Sequence, residues 1–300
     1  METQNPLISL IIINYNQTAV TREFLESTRE LVYKNYEIIV VDNASTTDPT
    51  DEINKANYPN TTVYRAPKNL GFTGGNNLGM QHAKGDYIFI VNNDTEVTPT
   101  LLNDLLEPFL QDETIGVTCP KIKYFSNPTV IQYAGFSAMN HYTGRAFGVG
   151  TKQEDQGQHD IPGETYGAHG AAMMIKREVI DQVGMFSDTF FLYYEEWDWS
   201  TRIRRAGYKI FYQPQAIIYH KESMSVGKDN PLKAYYHTRN RILYMRRNAQ
   251  KGQYIAFILF FIFFTVPKSV TKYLLNRQFT HLKSFLRGVL WHLKPKIPVN

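Results

Sequence analysis

The chain has 300 residues, 43% of them hydrophobic and 20% charged, enough apolar material for a large packed core, which excludes a mainly disordered protein. Its one cysteine, Cys119, excludes an internal disulfide, and METQNPLISL lacks a basic stretch followed by a cleavable apolar one, so a reducing, cytosolic setting is expected. The net charge of +4 is unevenly spread: from Lys228 onward there are fourteen Lys or Arg against one acid, Asp229, while the residues before it are net acidic, so the basic end should meet an anionic surface, lipid or nucleic acid.

Apolar runs at Leu7 to Ile13, Glu37 to Val41, Thr62 to Tyr64 and Tyr87 to Val91 alternate with helix-compatible stretches at Val20 to Leu31, Asp48 to Ala56 and Gly74 to Ala83. Apolar strands without alternation, separated by helices, predict an α/β fold whose mostly parallel central sheet is covered on both faces. Ligands of such sheets bind beyond the carboxyl ends of the strands, where strand order reverses. Each run here delivers polar residues to that edge: Asn14-Tyr15-Asn16, Asp42-Asn43-Ala44-Ser45, Asn69-Leu70-Gly71 and Asn92-Asn93-Asp94. One such cluster is ordinary turn and cap chemistry; four at one edge point to a site.

A helix is expected from Leu101 to Leu110. The stretch from Lys121 to Glu164, rich in Gly, Asn, Gln and Tyr, reads as irregular strands and a mobile loop. Order returns with the apolar run Gly170 to Ile175, then a helix from Arg177 to Val183 that Gly184 ends, and a helix from Glu195 to Ala206 closed by Gly207.

The segments SLIIINYN, IIVVDNAST, NLGFTGGNNLGMQHAKGDYIFIVNND and FFLYYEEWDWSTRIRRAGYKI together resemble family 2 glycosyltransferases of the GT-A fold, especially a rhamnosyltransferase-like branch, over about the first three quarters of the chain. The resemblance implies a nucleoside-diphosphate-sugar donor and a Mg²⁺ or Mn²⁺ ion that neutralises its diphosphate. Asp94 then stands at the family's metal-binding acid, and Asn92 replaces the first acid of that motif, which keeps a hydrogen-bond partner and removes a charge. His220, ending the run AIIYH, is implied as a second metal ligand. Asp42 resembles the base-reading aspartate, with Asn14 and Tyr15 flanking the base and Asn69, Gly71 and Asn77 lining the nucleotide. His169, Gly170 and Trp197 are expected near the donor or acceptor sugar.

The acids of Glu195-Glu196-Trp197-Asp198 match the family's motif at the start of an acceptor-facing helix. An inverting transfer needs one base, and adjacent carboxylates raise each other's proton affinity; Glu196 is the first choice and Glu195 the second. Asp198 is four residues from Arg202 and reads as its ion-pair partner. The charge at this helix start also suits a plain N-terminus.

Tyr254 to Phe264 is apolar throughout but shorter than the roughly 18 to 20 residues that span a bilayer, so a shallow or re-entrant segment is expected, with Pro267 close behind. Leu274 to Leu293 repeats apolar residues at helical spacing among Lys and Arg, the pattern of an interfacial helix drawn by anionic lipid; KAYYHTRNRILYMRRNA adds a basic, aromatic helix. Nucleic acid would suit the charge but gives no use for eleven consecutive apolar residues.

The expected organisation is a GT-A catalytic domain over 1–226 and a basic, helical, membrane-associating region over 227–300. The expected partners are a dTDP- or UDP-sugar donor, a lipid-linked glycan acceptor and an anionic membrane surface at the cytoplasmic face, and no nucleic acid. Two other classes share parts of this pattern. A nucleotidyltransferase would need a glycine-rich, lysine-bearing loop after the first strand, where Asn14 to Thr18 has none; a non-catalytic sugar-nucleotide or glycan-binding module would bind without turnover. A dinucleotide dehydrogenase is disfavoured, because no Gly-x-Gly-x-x-Gly follows that strand.

Overall fold

The computed structural model describes residues 5–221 and 230–293. The chain runs β1 (Ile8–Asn14), α1 (Thr18–Ser27), β2 (Tyr36–Asp42), α2 (Thr50–Lys55), β3 (Thr61–Arg65), α3 (Gly71–His82), β4 (Tyr87–Val91), β5 (Thr95–Val97), α4 (Leu101–Gln111), β6 (Ile115–Tyr124) and β7 (Asn127–Tyr133). It continues through β8 (Gly163–Glu164), β9 (Ala172–Lys176), α5 (Arg177–Val183), α6 (Glu195–Arg205) and β10 (Lys209–His220) to the helices α7 (Pro231–Asn248), α8 (Lys251–Phe260), α9 (Val266–Leu275) and α10 (Phe279–Leu290).

The strands form one sheet in the order β3-β2-β1-β4-β9-β6-β10-β5, with β7 on β6 and β8 on β10. The first four are parallel, whereas β9 runs antiparallel to both β4 and β6. The chain enters at β1, moves outward to β3, and returns to β4 on the other side of β1. That reversal opens a crevice at the carboxyl ends of β1 and β4. Ile8, Leu10, Ile11 and Ile12 have no exposed surface, which is why β1 reads as an unbroken apolar run: both of its faces are covered. On one face α3 comes very close, since a Cβ on Gly79 would lie 2.4 Å from Ile11 Cγ2.

The long segment after β6, expected as irregular strands and a mobile loop, contains paired strands and bridges. β7 turns back on β6, isolated bridges join Val130 to Glu154 and Phe136 to Gly148, and the buried Lys121 amine bonds Asp155 and Asp160.

The largest departure is at the basic end. α8 does not stop near Phe264: it passes through a wide turn at Phe261–Thr265 into α9, giving one 25-residue helix, Lys251–Leu275, long and apolar enough to cross a membrane by length and composition. At 1.5 Å per residue it is about 37 Å long. The wide turn lies just ahead of Pro267, where a regular turn would clash with the proline ring. Phe257 and Phe261 turn inward and form a second core with Phe285 of α10, Leu243 of α7, and Phe190 and Trp197 from the body of the protein. Ile255, Leu259, Ile262, Phe263, Phe264 and Leu275 face outward. α10 folds back on α7 so closely that a Cβ on Gly288 would lie 2.8 Å from the Tyr235 carbonyl oxygen. The expected boundary between residues 226 and 227 lies outside the described residues.

Candidate active site

A line of hydrogen bonds crosses the strand ends. Asn14 Nδ2 donates to Asp42 Oδ1 (2.9 Å), Thr21 Oγ1 donates to Asn14 Oδ1 (2.8 Å), and Asn93 Nδ2 donates to Thr21 Oγ1 (2.9 Å). The ends of β2, β1 and β4 are thereby locked in one register. Asp42 is wholly buried and also accepts from Ser45 N at 3.2 Å, with Arg65 Nε 3.6 Å from Oδ2. Tyr15 is 40% exposed beside it. Asn14, expected against the base, is fully enclosed like Asp42, and its amide bonds Asp42, Ser45 and Thr21, so it orients the Asp42 carboxylate.

Three further residues expected to line the nucleotide also shape the turn before α3 and its packing. Asn69 Oδ1 accepts from Gly71 N (2.8 Å) and Asn43 Nδ2 (3.2 Å), folding the turn that starts α3. Gly71 is required there, with φ at +71° and the Phe191 carbonyl oxygen 2.5 Å from where a Cβ would stand. Asn77 donates to Phe186 O (2.9 Å) and Asp188 Oδ1 (2.8 Å) and accepts from Phe186 N (3.1 Å). Gly71 and Asn77 therefore hold the loop before α6 against α3.

β4 ends in Asn92, whose backbone N–H bonds Ala171 O (2.9 Å) and whose side chain is partly exposed. Two residues on, Asp94 Oδ1 lies 3.1 Å from His220 Nε2, both residues being buried. His220 Nδ1 is 2.8 Å from Gln132 Oε1, so both ring nitrogens face oxygen atoms and Nε2 hydrogen-bonds the Asp94 carboxylate. A carboxylate oxygen and an imidazole nitrogen side by side would suit Mn²⁺ as well as Mg²⁺, the cation replacing the proton between them. Among the described residues no group of three or more His, Cys, Asp or Glu gathers to hold a metal, so the remaining ligands would be diphosphate and water oxygens, the usual arrangement for these ions. His169 sits beside this pair, its ring centroid 6.4 Å from that of His220. Burial, with the nearby His220 adding to it, lowers His169 to about 3, so it is a neutral imidazole whose Nδ1 accepts from Ala171 N at 3.1 Å. Phe136 bridges to the acids: it stacks on His169 at 5.9 Å and touches Trp197 at 4.9 Å. Gly170 leaves room, since a Cβ there would meet only Phe72, at 3.8 Å.

The acids open α6 after a strained loop. Phe191, Tyr193 and Tyr194 have φ of +64°, +70° and +70°, each costing on the order of 1–3 kcal/mol in a non-glycine residue. α7 holds them there. Asn240 Nδ2 donates to the carbonyl oxygens of Phe190 (2.9 Å), Leu192 (2.7 Å) and Tyr193 (2.7 Å), and Arg239 bonds those of Thr189 and Phe190. Glu195 is buried with Oε2 lacking a hydrogen-bond partner among the described residues, and burial, then the neighbouring Glu196, push it well above the carboxylate range. Burial raises Glu196 to about 7. Unlike Glu195, Glu196 lines a cavity of about 630 Å³ between the body and the C-terminal helices, with Trp197 beside it. Asp198 does pair with Arg202, at 3.1 Å, and also accepts from Asn248 at 2.9 Å.

Residues 9–184 match the sequence profile of glycosyl transferase family 2. The chain belongs to that family. The N-acetylglucosaminyl-diphospho-decaprenol L-rhamnosyltransferase of Mycobacterium tuberculosis is similar at 23% identity over 244 residues, covering 74% of this chain and 78% of that one. Protein y4gI of Sinorhizobium fredii is 28% identical over 261 residues, 81% of this chain but only 27% of that protein. Among solved structures, GalNAc-T7 with UDP, GalNAc and Mn²⁺ superposes with a TM-score of 0.64 at 18% identity over 82% of this chain and 48% of that one. The chain thus spans less than half of some proteins it matches. The likeness shows the expected GT-A fold.

For a family 2 chain, the residues that sequence patterning overlooks are the supports. Thr21, Gln132, Arg239 and Asn240 lie in elements whose pattern explains them as helix or strand, and Phe136 lies in the loop after β7. Only Asn240, a short amide buried inside a basic helix, carries a local signal, being a poor helix former at a position without solvent.

Proposed function

We propose that the protein is an inverting, metal-dependent glycosyltransferase that moves a sugar from a dTDP- or UDP-linked donor, rhamnose being the branch-level candidate, to a lipid-linked glycan. The observation that carries this reading is the pairing of Asp94 with His220 at the switch-point crevice, on the same sheet edge as Asp42 and joined through His169 and Phe136 to the acids of α6. Asp42 accepts the imide N–H of the pyrimidine, which can displace its longer contacts from Ser45 N and Arg65, and Tyr15 stacks on the base. Asp94 and His220 hold Mg²⁺ or Mn²⁺, which when bound neutralises the diphosphate of the leaving group. Gln132 fixes the His220 tautomer.

The Glu196 carboxylate takes the proton of the acceptor hydroxyl as that oxygen bonds to the anomeric carbon and the bond from that carbon to the diphosphate oxygen breaks. The attack comes from the face opposite the leaving group, so configuration inverts. A group titrating at about 7 is well matched to this duty at neutral pH. His169, Gly170 and Trp197 border the sugars. The mycobacterial relative's name includes a diphospho-decaprenol acceptor, which supports a lipid-linked acceptor here.

The outward apolar face of Lys251–Leu275, of whose most apolar stretch only 11% is buried, supports membrane association, which this reading assigns to the cytoplasmic face. Because Phe257, Phe261 and Phe285 pack inward together and α10 returns to α7, the helix is read as lying in the interface rather than crossing it. The catalytic unit then comprises 1–226 and the membrane-associating unit 227–300.

The test is transfer of labelled sugar from UDP- and dTDP-sugars to sugar-diphospho-prenol acceptors, with and without Mn²⁺. Metal-stimulated product supports the reading. Donor binding without transfer or hydrolysis under any acceptor would instead favour a binding module.

A further inference from the structure

Arg145, Lys233, Arg241 and Lys272 line the cavity that Glu196 enters. They come from the loop after β7, from two turns of α7, and from α9, so the fold rather than one basic segment gathers them. Their charges crowd one another. Burial, with the like charge of Arg145 adding to it, lowers Arg241 to about 10, and burial together with Lys233 and Arg145 lowers His237 to about 4. Arg241 is held by Thr143 O at 2.6 Å and by the rings of Phe257 and Phe261, at 5.6 and 5.5 Å, contacts that orient the charge without cancelling it. The opposite wall is made by Phe261, Tyr273 and Phe285, and the helix carrying Phe261 and Tyr273 presents Ile262, Phe263 and Phe264 outside. A compact anion bearing several charges would relieve the repulsion inside, and an apolar chain attached to it could leave along the exposed helix.

We propose that this cavity is the subsite for the diphosphate headgroup of a lipid-linked acceptor, with Arg145, Lys233, Arg241 and Lys272 on the phosphates and the exposed face of α8 and α9 beneath the prenyl chain. This rests on the reading of the protein as a glycosyltransferase with a lipid acceptor, and it adds the residues that select that acceptor. The donor's diphosphate is accounted for elsewhere, since neither Asp94 nor His220 lines the cavity. The apolar wall leaves no role for a nucleic-acid backbone.

The full chain in detergent is titrated with farnesyl diphosphate, comparing the wild type with the Arg145→Gln/Lys233→Gln/Lys272→Gln variant; Arg241 is left in place because it also packs the second core. The variant should bind the probe at least about tenfold more weakly and bind UDP with Mn²⁺ unchanged. Inorganic pyrophosphate and farnesyl monophosphate should bind the wild type more weakly than farnesyl diphosphate. Equal affinity of variant and wild type overturns the proposal. So does competition by phosphatidylglycerol vesicles as effective as that of farnesyl diphosphate, which would give the surface to bulk anionic lipid, or pyrophosphate binding as tight as the prenyl compound, which would remove the lipid. Loss of probe affinity in the variant of a protein that transfers no sugar would sink the enzymatic reading and leave the subsite standing. Transfer with an unchanged acceptor KM in the variant would do the reverse.

Discussion

The side-chain amide of Asn240 lies 2.7 Å from the carbonyl oxygen of Tyr193, so a helix from the basic end directly sets the backbone that carries the acids. Asn240→Ala would leave the carbonyl oxygens of Phe190, Leu192 and Tyr193 without this donor and release a loop held at positive φ. The expected loss is about 1–3 kcal/mol, enough to lower Tm by several degrees in a chain of this size, together with at least about a tenfold drop in kcat and an unchanged donor KM. Calorimetry and steady-state kinetics check the two parts separately. A destabilised variant with wild-type kcat would reduce Asn240 to a packing role.

The acids are separable by single amides. Glu196→Gln keeps the shape of the cavity and removes the base, so donor binding should persist while kcat falls by about 10² or more. Glu195→Gln, whose carboxyl is buried and outside the cavity, should keep most activity. The reverse pattern, a dead Glu195→Gln and a fully active Glu196→Gln, would transfer the base to Glu195.

The pH dependence follows with opposite signs for rate and stability. The Glu196 carboxyl rises from 4.5 to about 7 on folding, so the active carboxylate form grows as pH increases and kcat/KM should climb through about 7 and then level off. A raised acid binds its proton more tightly in the folded state, so its contribution to stability is greatest at low pH and is lost as pH rises from 4.5 to about 7. Glu196→Gln should flatten the pH-rate curve and reduce the slope of Tm across that window, with the remaining slope carried by Glu195, which burial also raises. A kcat/KM profile flat between about pH 5 and 8 would show that proton removal by this group is not limiting.

Much of the crevice is legible in the sequence because strand burial and strand-end polarity are local patterns. The run YIFIV ends in Asn92-Asn93-Asp94, and the three side chains diverge: Asn93 reaches Thr21, Asp94 meets His220, and Asn92 stays partly exposed at the edge. What local pattern cannot show is contact between distant segments. Asn77 looks like a crevice residue until Phe186 and Asp188 arrive from over a hundred positions away. The helix Lys251–Leu275 looks shorter than it is because a proline ordinarily ends a helix, and the wide turn that admits Pro267 has no sequence rule of its own. The antiparallel β9 is hidden for the same reason, since its apolar run gives no direction.

Gln132 gives the sharpest test of the metal reading because it touches neither the cation nor substrate. Its Oε1 lies 2.8 Å from His220 Nδ1, which turns Nε2 toward Asp94 and leaves it as the nitrogen offered to a cation. Gln132→Ala should free the imidazole to adopt the other tautomer and weaken Mn²⁺-dependent UDP binding by about 10- to 100-fold, while metal-independent UDP binding stays the same. Asp94→Ala should remove the metal-dependent component altogether, and His220→Ala should lie between the two. Titration calorimetry of UDP at several Mn²⁺ concentrations gives all three values. If Gln132→Ala bound the metal complex as tightly as the wild type while His220→Ala did not, His220 would be a ligand whose orientation is set by its own burial rather than by this amide.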